Sequence, residues 1–304
     1  MTEIPGSEAV RRVGVVGAGQ MGTGIALAIA KSGIEVLLHD FDPRVIERTE
    51  ANVTGLLDRL VQRGRMAPEE RRAAETNVGL VWDLDAFEDC DFVIEAVTES
   101  EPVKLDLFRK LDRVCRPGVV LASNTSSISI TRLGRESGRP GQVIGMHFMN
   151  PPLQMPLVEI VIGLATDPAT HETTERLARR LGKETLVSGD SPGFIVNRIL
   201  LPMINEAVYC AMEGVATIED IDTAMKRGTN HPMGPLELAD LIGLDTCLAI
   251  MEVMHRVFGD DKYRPCPLLK RHVDAGYLGR KTGRGFYDYA SGQAIPGSHT
   301  RRRT

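Results

Sequence analysis

Short apolar runs and longer amphipathic stretches alternate through the first two-thirds of the chain. Runs rich in Val, Ile and Leu predict strands at residues 13–16, 34–40, 77–81, 92–97, 119–123 and 143–146, and an extended segment at 157–161. The stretches between most of these runs have helical periodicity, as in the helix predicted from Arg44 to about Arg65. Strands that alternate with helices indicate an α/β domain with a doubly wound, mostly parallel sheet.

The pattern changes after Ser191-Pro192-Gly193. Helical periodicity dominates from there and predicts helices at residues 194–212, 218–225, 234–242, 246–258 and 267–275. We therefore expect an α/β domain over residues 1–190 and an all-α domain over residues 191–290. Residues 291–304 form a basic tail that ends in Arg301-Arg302-Arg303, and we expect this tail to be disordered.

A glycine-rich turn joins the first predicted strand to the first predicted helix. Gly17, Gly19 and Gly22 form the pattern Gly-x-Gly-x-x-Gly, with a β-branched run before them and a helical run after them. Gly17 permits the sharp turn, Gly19 lets a diphosphate approach the backbone, and Gly22 allows the helix to pack closely on the strand. The helix then offers its N–H groups and the positive end of its dipole to the diphosphate. The alternative interpretation is a packing turn that binds nothing.

Asp40 ends the second predicted strand, roughly 20 residues after the glycines, where a dinucleotide-binding domain carries an acid. A carboxylate there binds the ribose hydroxyls and would repel a 2′-phosphate, so the sequence favours NAD over NADP. The N-terminal domain is therefore predicted to be Rossmann-like. The predicted cofactor contacts of this segment are Gly17, Gly19, Gln20, Met21, Gly22 and Asp40.

Composition and charge narrow the class of protein. The chain has 304 residues, of which 42% are hydrophobic and 25% charged, as in a globular protein with room for two domains. The net charge of −5 argues against a nucleic-acid partner, and no apolar run approaches the roughly 20 residues of a membrane span. Five cysteines without Cys-x-x-Cys spacing suit a reducing compartment and predict no metal site. Because the start of the chain has no apolar signal-peptide core, we expect a cytoplasmic location.

Polar side chains follow the predicted strands at the edge where open α/β sheets bind ligands. Ser126 and His147 come after successive strands, Glu159 lies in the extended segment, and Asn197 opens the helical domain. An alcohol gives up a hydride only when its hydroxyl proton is also removed. A neutral histidine can take that proton, a carboxylate can stabilise the cation that forms, and further donors can bind the oxygen. Spacing alone does not bring these four residues together, and a lone histidine after a strand is more often structural.

Six separated motifs resemble the 3-hydroxyacyl-CoA dehydrogenase family, including its 3-hydroxybutyryl-CoA dehydrogenase branch. They occur in order between residues 12 and 289, and they are Asn124-Thr125-Ser126-Ser127, His147-Phe148-Met149-Asn150-Pro151, Pro156-Leu157-Val158-Glu159, Ser191-Pro192-Gly193-Phe194-Ile195-Val196-Asn197-Arg198, His231-Pro232-Met233-Gly234-Pro235-Leu236-Glu237-Leu238 and Gly283-Arg284-Gly285-Phe286-Tyr287. The resemblance implies reversible hydride transfer between (3S)-3-hydroxyacyl-CoA and NAD. It implies His147 as general base with Glu159 as its partner. It also implies that Ser126 and Asn197 contact the substrate 3-oxygen.

The resemblance has further implications for the cofactor and for assembly. Glu99, Lys104 and Lys281 are expected near the cofactor, and Asn124 is a further predicted cofactor contact. A homodimer formed through the helical domain is expected, because that domain has more apolar residues than one short bundle buries.

Two departures from the family pattern lie beside the catalytic loop. Pro156 stands where many single-function members have a lysine, and Met149 stands where phenylalanine is usual, so the acyl preference is left open. The predicted helix that ends near Arg65 carries no obvious clamp for the phosphates of CoA, and a basic helix face is most often simply solvated. A carrier-protein thioester or a free 3-hydroxy acid therefore remains open as substrate. A non-catalytic NAD(H)-binding protein is the alternative of another class.

Overall fold

The computed structural model describes residues 10–290 and 295–296 of the chain. Contacts within it divide the chain into two units, of which the first ends at Phe194 and the second begins at Ile195. The first unit contains an eight-stranded sheet flanked by helices, and the second is built mainly from helices. None of the helices in the described ranges is long and apolar enough to cross a membrane.

The sheet of the first unit is mostly parallel, as predicted. Its strands are β1 (Arg12–Val16), β2 (Glu35–His39), β3 (Val78–Val81), β4 (Phe92–Glu95), β5 (Val120–Ser123), β6 (Val143–Phe148), β7 (Leu157–Ile162) and β8 (Glu184–Gly189). They lie in the order β3-β2-β1-β4-β5-β6-β7-β8. Every neighbouring pair is parallel except β6 and β7, which are antiparallel.

Helices and apolar side chains cover both faces of this sheet. The helices are α1 (Gln20–Lys31), α2 (Pro43–Gln62), α3 (Pro68–Thr76), α4 (Glu101–Val114), α5 (Ile130–Glu136) and α6 (Pro168–Arg180), with 3-10 turns at Leu84–Phe87 and Pro140–Gln142. Val13 and Val15 of β1 belong to one apolar cluster and Val16 to another, because successive side chains of a strand point to opposite faces. Burial on both faces explains the near-continuous apolar runs in the sequence.

The first unit differs from the sequence prediction in one strand end and in two elements that were not predicted. β6 continues to Phe148, two residues past its predicted end, so His147 lies within a strand and not after it. α5 and β8 were not predicted at all. α5 has only 7 residues, too few for a clear helical period. β8 lies at the edge of the sheet and is largely exposed, so it carries no alternation of apolar and polar residues.

The second unit contains the predicted helices. They are α7 (Val196–Glu213), α8 (Ile218–Gly228), α9 (Pro235–Ile242), α10 (Leu244–Phe258) and α11 (Pro267–Asp274), with 3-10 turns at Asp261–Tyr263 and Arg280–Thr282. Two short strands, β9 (Tyr287–Asp288) and β10 (Ile295–Pro296), pair in antiparallel fashion. β10 falls within the tail that we expected to be disordered. The rest of that tail, residues 291–294 and 297–304, lies outside the described residues.

Two buried carboxylates fasten the segment after α11 to the helices of the second unit. Asp222 in α8 accepts a hydrogen bond from the Tyr287 hydroxyl (2.8 Å). Asp240 in α9 accepts hydrogen bonds from the backbone N–H groups of Phe286 and Tyr287, both at 2.9 Å. A Cβ at Gly285 would lie 2.0 Å from an oxygen of Asp240, so this close approach requires glycine. The glycine-rich motif near the end of the chain therefore has a structural role.

Candidate active site

The glycine turn lies between β1 and α1. Gly17 has a φ of 102°, which residues with side chains rarely adopt, and a Cβ there would lie 2.5 Å from the carbonyl oxygen of Ala96. A Cβ at Gly22 would lie 1.7 Å from the carbonyl oxygen of Gly17, so α1 packs against the turn only with glycine at this position. At Gly19 a Cβ would have no neighbour within 4 Å, and no side chain caps the start of α1 in the described structure. The turn thus leaves open space in front of the first N–H groups of a helix, which fits a bound diphosphate.

Asp40 follows β2 and is bonded to the glycine turn. One of its carboxylate oxygens accepts a hydrogen bond from the N–H of Ala18 (2.8 Å), and the other accepts one from the N–H of Asp42 (3.0 Å). Each carboxylate oxygen can accept more than one donor, so lone pairs remain for ribose hydroxyls. The sequence did not reveal that Asp40 also braces the turn. Gln20 and Met21, the first two residues of α1, are not buried.

His147 and Glu159 face each other across the antiparallel strands β6 and β7. The register of the two strands pairs these residues directly. Nδ1 of His147 lies 2.7 Å from Oε2 of Glu159. The Glu159 side chain is completely buried and that of His147 is 10% exposed. An imidazole that remains partly accessible is therefore backed by a carboxylate that solvent does not reach.

The buried carboxylate determines which ring nitrogen of His147 can act as a base. An ionised Glu159 accepts the proton of Nδ1–H, so the lone pair lies on Nε2. When Nε2 takes up a proton, the same carboxylate stabilises the imidazolium. The ring of Phe194 packs edge-on against the imidazole, with 5.6 Å between the ring centroids. Phe194 lies in one of the quoted motifs, but nothing in its spacing identified it as a neighbour of His147.

Asn124 and Asn150 connect the end of β6 to neighbouring elements. The side-chain oxygen of Asn124 accepts a hydrogen bond from the N–H of Phe148 (2.8 Å), directly after His147. The side-chain oxygen of Asn150 accepts one from Nε2 of Gln20 (3.2 Å), in α1. The polar contacts of these two side chains therefore hold the segment around His147 in place. The predicted contact of Asn124 with the cofactor stays a prediction.

Glu99 is the centre of a loop that carries Ser126. Five donors lie within 3.2 Å of its Oε1 atom, and they are the hydroxyls of Thr125 (2.6 Å), Ser126 (3.2 Å) and Ser127 (3.0 Å) and the N–H groups of Ser126 (2.9 Å) and Ser127 (3.1 Å). Burial alone would raise the pKa of Glu99, but the Lys104 ammonium and these donors outweigh burial and hold that pKa below its ordinary value. Glu99 is therefore an ionised carboxylate that organises the loop.

Glu95 and Lys104 form a buried ion pair next to Glu99. The Lys104 side chain is 1% exposed and that of Glu95 0%. Glu95 also accepts hydrogen bonds from the hydroxyl of Ser123 (2.6 Å) and the N–H of Val97 (2.8 Å). Glu95 was not among the residues predicted from the sequence. Its signal was a single acid at the end of the otherwise apolar strand β4, followed by a lysine in the first turn of the next helix.

Asn197 and Lys281 belong to the second unit. Asn197 is the second residue of α7 and is partly buried. Nζ of Lys281 lies 2.6 Å and 2.7 Å from the two carboxylate oxygens of Asp245. Their predicted contacts with the substrate oxygen and the cofactor stay predictions.

A cavity of about 590 Å³ lies in the first unit beside the glycine turn. The start of α1, one side of α2 and residues 151–154 line it, together with four arginines, Arg48, Arg59, Arg63 and Arg65. Arg65 donates a hydrogen bond to the side chain of Gln154 (3.2 Å). The arginines are exposed, as the sequence suggested, but they share one cavity. The helical period did not reveal that the four arginines share a cavity, because α2 ends at Gln62 and the chain turns at Gly64, which has a φ of 65°.

Three of the five cysteines are buried thiols that do not ionise readily. All five are free thiols. Burial raises the pKa of Cys90 to about 12, of Cys115 to about 11 and of Cys247 to about 12, so these groups stay protonated at neutral pH. Across the described ranges, no three His, Cys, Asp or Glu side chains are grouped so that they could hold a metal ion.

These features define the class of protein. The first unit has a glycine turn that fits a diphosphate, with an acid bonded to it, and a buried His–Glu pair near the carboxyl end of β6. β1 to β6 are parallel, so their carboxyl ends lie at one edge of the sheet, where α/β enzymes bind ligands. The arrangement is that of a dinucleotide-dependent oxidoreductase with a Rossmann-like domain.

Comparison with known families identifies the group within this class. The family model of the 3-hydroxyacyl-CoA dehydrogenase NAD-binding domain matches residues 12–191, and that of the 3-hydroxyacyl-CoA dehydrogenase C-terminal domain matches residues 193–289. The chain belongs to the 3-hydroxyacyl-CoA dehydrogenase family. The predicted resemblance, the oxidoreductase class and NAD as cofactor are confirmed.

Individual relatives are similar to this chain over nearly their whole length. A 3-hydroxybutyryl-CoA dehydrogenase of Bradyrhizobium diazoefficiens is 52% identical over 94% of this chain and 98% of its own. A probable 3-hydroxybutyryl-CoA dehydrogenase of Bacillus subtilis is 50% identical over 92% of this chain and 98% of its own. The crystal structure of (S)-3-hydroxybutyryl-CoA dehydrogenase PaaH1 from Ralstonia eutropha is similar with a TM-score of 0.89 and 47% identity, and the match covers 93% of this chain and 100% of that one.

Proposed function

We propose that this protein is an NAD-dependent (3S)-3-hydroxyacyl-CoA dehydrogenase that interconverts 3-hydroxybutyryl-CoA and acetoacetyl-CoA. The observation that carries the proposal is the 2.7 Å contact between Nδ1 of His147 and the buried carboxylate of Glu159. It makes Nε2 a base suited to an alcohol proton. The names of the relatives at 50% and 52% identity support the thioester as substrate.

Four side chains carry the proposed reaction. His147 removes the proton of the 3-hydroxyl group through Nε2, and Glu159 stabilises the imidazolium. Bound NAD would supply the acceptor for the hydride of C3. Ser126 donates a hydrogen bond to the 3-oxygen as negative charge develops there, and Asn197 is the second proposed donor. Ser126 suits this role because its hydroxyl makes a 3.2 Å contact with Glu99, the longest of the five, so its proton is readily turned to a substrate.

The residues proposed to bind the cofactor lie along the glycine turn and the neighbouring loops. Gly17, Gly19, Gln20, Met21 and Gly22 form the diphosphate site, and Asp40 binds the ribose. Support for this assignment is the open space at Gly19 and the position of Asp40 against the turn. Residues 1–190 are thus proposed as the NAD-binding domain and residues 191–290 as the substrate and dimerisation domain. Glu99, Lys104, Asn124 and Lys281 remain proposed neighbours of the cofactor.

The four arginines of the cavity are proposed to bind the phosphates of CoA. Among the described residues, the guanidinium groups of Arg59 and Arg63 form no ion pair, that of Arg48 lies near Asp42 without an ion pair, and that of Arg65 donates to an amide side chain. Guanidinium groups that share one cavity are well suited to phosphate oxygens. This supports CoA over a free 3-hydroxy acid, which would have no use for such a cluster.

A substrate panel tests the proposed function. We expect acetoacetyl-CoA to be reduced with NADH, and NADPH to be much less effective because Asp40 repels a 2′-phosphate. The panel should include longer 3-oxoacyl-CoA substrates, a carrier-protein thioester and free 3-oxo acids. Equal turnover of a free acid and its CoA thioester would overturn the thioester assignment. A protein that binds NADH but turns over no member of the panel would support a non-catalytic role.

A paired variant tests the arginine cluster. Replacing Arg59 and Arg63 with alanine should raise KM for acetoacetyl-CoA about tenfold, because hydrogen bonds to a charged group are lost. KM for acetoacetyl-pantetheine, which lacks the phosphates of CoA, should change little. Arg72→Ala is the control, because Arg72 is an exposed arginine of α3 that pairs with Glu69 and does not line the cavity. A rise in KM for both thioesters would contradict phosphate binding.

A homodimer and a cytoplasmic location complete the proposal. Four large apolar side chains of the second unit are strongly exposed in the single chain, and they are Ile199 (69%), Val215 (69%), Val257 (58%) and Leu241 (49%). Contact between two copies would remove them from water. Five free cysteines support a reducing compartment. Sedimentation analysis of the purified protein tests the dimer.

A further inference from the structure

The backbone adopts an unusual conformation where the first unit ends. Phe194 has a φ of 47°, in the left-handed region that residues with side chains disfavour. Among the described residues, the one other non-glycine residue with a positive φ is Asn230 (59°), and asparagine tolerates this region because its short polar side chain bonds locally. A glycine at position 194 would adopt the same φ without strain. The aromatic side chain is therefore present in spite of the backbone, and its contacts have to compensate for the strain.

The Phe194 ring links an apolar cluster of the sheet to the imidazole of His147. Phe194 is 4% exposed and belongs to the cluster that contains Val143 of β6 and Val161 of β7. His147 and Glu159 lie on the same face of these two strands as the valines, because side chains alternate along a strand. The ring centroid of Phe194 lies 5.6 Å from that of the imidazole, and the two ring planes meet at 62°. The phenylalanine therefore lies where this apolar face meets the His–Glu pair.

A single hydrogen bond does not fix the orientation of an imidazole. Nδ1 of His147 lies 2.7 Å from Oε2 of Glu159, but the last torsion of a histidine side chain has a broad minimum. Rotation about that torsion would swing Nε2, the atom proposed to take the substrate proton. The edge-on packing of Phe194 against the ring opposes this rotation. Two contacts of different kinds therefore define where Nε2 points.

Asp190 fastens the start of the segment that carries Phe194. Its carboxylate accepts hydrogen bonds from the N–H groups of Ile130 (2.9 Å) and Thr131 (2.8 Å) and from the Ser129 hydroxyl (2.8 Å), at the start of α5. A carboxylate is favourable at this end of a helix, because it meets unpaired N–H groups and the positive end of the helix dipole. The short segment from Asp190 to Phe194 is therefore tied to the body of the first unit.

We propose that Phe194 is a positioning residue for the reaction. Its ring holds the imidazole of His147 so that Nε2 faces the substrate hydroxyl, and Asp190 holds the segment that carries the ring. This inference rests on the proposed function. It also explains why a phenylalanine occupies a backbone position suited to glycine.

Two substitutions at position 194 separate the ring from the backbone. Phe194→Gly removes the ring and relieves the strained φ, whereas Phe194→Leu keeps an apolar side chain without a flat ring. Positioning predicts that Phe194→Gly lowers kcat for acetoacetyl-CoA reduction by about 10- to 100-fold and Phe194→Leu by less, as a misplaced catalytic group does. KM for acetoacetyl-CoA and Kd for NADH should stay within about threefold, because the arginine cavity and the glycine turn are unaltered. A folded Phe194→Gly protein whose kcat stays within about twofold of the unaltered value would overturn the proposal.

Phe92→Leu is the matched control for loss of packing. Phe92 is fully buried (0% exposed) and is the first residue of β4, at the opposite end of that strand from the edge where the site lies. This variant should lower the melting temperature, as Phe194→Leu does, and leave kcat unchanged. Equal losses of kcat in the two leucine variants would mean that general loosening causes both, which would overturn the proposal.

A double-mutant cycle tests whether the effect passes through His147. In a His147→Ala background, Phe194→Gly should have almost no further effect on kcat, because no imidazole remains to be positioned. Effects that multiply would mean that Phe194 acts by another route, and they would overturn the proposal.

Asp190→Asn tests the support of the segment and serves if the variants at position 194 fail to fold. It should lower kcat, because an amide cannot accept all three hydrogen bonds that the carboxylate accepts. Thr217→Ala is its control, since it removes the side-chain cap of α8 in the second unit and should leave kcat unchanged. An unchanged kcat in a folded Asp190→Asn protein would overturn the role given to Asp190.

Chemical modification of the imidazole provides a measurement that needs no turnover. Diethyl pyrocarbonate acylates accessible histidine nitrogens, and peptide mass mapping measures the rate at His147 alone. The side chain of His147 is 10% exposed, and release of its ring should raise that rate about fivefold or more in Phe194→Gly, with no change in Phe92→Leu. An unaltered rate in a folded Phe194→Gly protein would overturn the proposal, and so would a faster rate with kcat retained. A faster rate in a protein for which no substrate is found would instead count against the proposed function alone.

Discussion

Each unit of this protein buries a carboxylate, and the partners of the two carboxylates differ in kind. In the first unit Glu159 faces the imidazole of His147 at 2.7 Å. In the second unit Asp240 faces the N–H groups of Phe286 and Tyr287 and the Tyr289 hydroxyl (3.1 Å). An imidazole can accept a proton from a substrate, whereas a backbone amide only donates a hydrogen bond. The same type of side chain is therefore suited to proton transfer in one unit and to fixing the chain in the other.

The largest expected effect on activity comes from replacing the imidazole of His147. His147→Ala should lower kcat by about three orders of magnitude, because general-base catalysis contributes roughly 10²- to 10⁴-fold. NADH binding should persist, since the glycine turn is unchanged. Stopped-flow or steady-state reduction of acetoacetyl-CoA measures kcat, and NADH fluorescence measures cofactor binding. A variant that retained most of its activity would remove His147 from its proposed role.

A smaller loss of activity is expected when Glu159, the carboxylate bonded to the imidazole, is replaced. Glu159→Gln should lower kcat by about 100-fold, because the imidazolium loses its negative partner. In a His147→Ala background the same change should have almost no further effect on kcat. Activity measurements on the two single variants and the double variant test this. Independent effects would break the assignment of the two residues to one pair.

In the second unit, loss of the buried carboxylate should affect stability and not chemistry. Asp240→Asn should lower the free energy of unfolding by about 2 kcal/mol, because an amide cannot accept all the hydrogen bonds that the carboxylate accepts. Asp261→Asn, an exposed acid of the same unit, should cost about 0.5 kcal/mol or less. Urea denaturation measures both. If kcat of the folded Asp240→Asn protein also fell strongly, the contrast between the two carboxylates would not hold.

The smallest effect is a pH dependence of stability. Burial raises the pKa of Asp240 to about 6, with the tyrosine and backbone donors opposing that rise. The folded state then binds this proton more tightly than the unfolded state does, so stability falls as pH rises. Between pH 5 and pH 7 the contribution of this group should fall by about 1 kcal/mol. Unfolding curves of the unaltered protein and of Asp240→Asn, measured over this pH range, isolate the contribution of Asp240 to stability. If the stability of both proteins changed with pH in the same way, this prediction would be wrong.

Much of the candidate site could be predicted from the sequence where short motifs or adjacent elements define it. The glycine turn is recognised from local features, which are the strand before it, the helix after it and Asp40 at the end of the next strand. His147 and Glu159 were paired by their resemblance to family motifs, and not by spacing. The strand boundary at Met146 was missed, since a histidine interrupts the apolar run that marks a strand.

Contacts between distant segments could not be read in this way. Antiparallel pairing of β6 and β7 brings residues 147 and 159 opposite each other, and no periodicity fixes that register. Glu95 and Lys104 look like ordinary charged residues in the sequence, yet burial and the proximity of Ser123 join them into a network. The arginine cavity likewise depends on how the chain turns after α2.

The sequence alone determined the class of fold, the glycine turn and the family, because these depend on local pattern and on short motifs. Only the tertiary structure decided which charges are buried, the register that sets Glu159 opposite His147 and which carboxylate faces backbone amides. Those outcomes depend on desolvation and on distances between segments far apart in the chain, and neither property is carried by the order of residues within one segment.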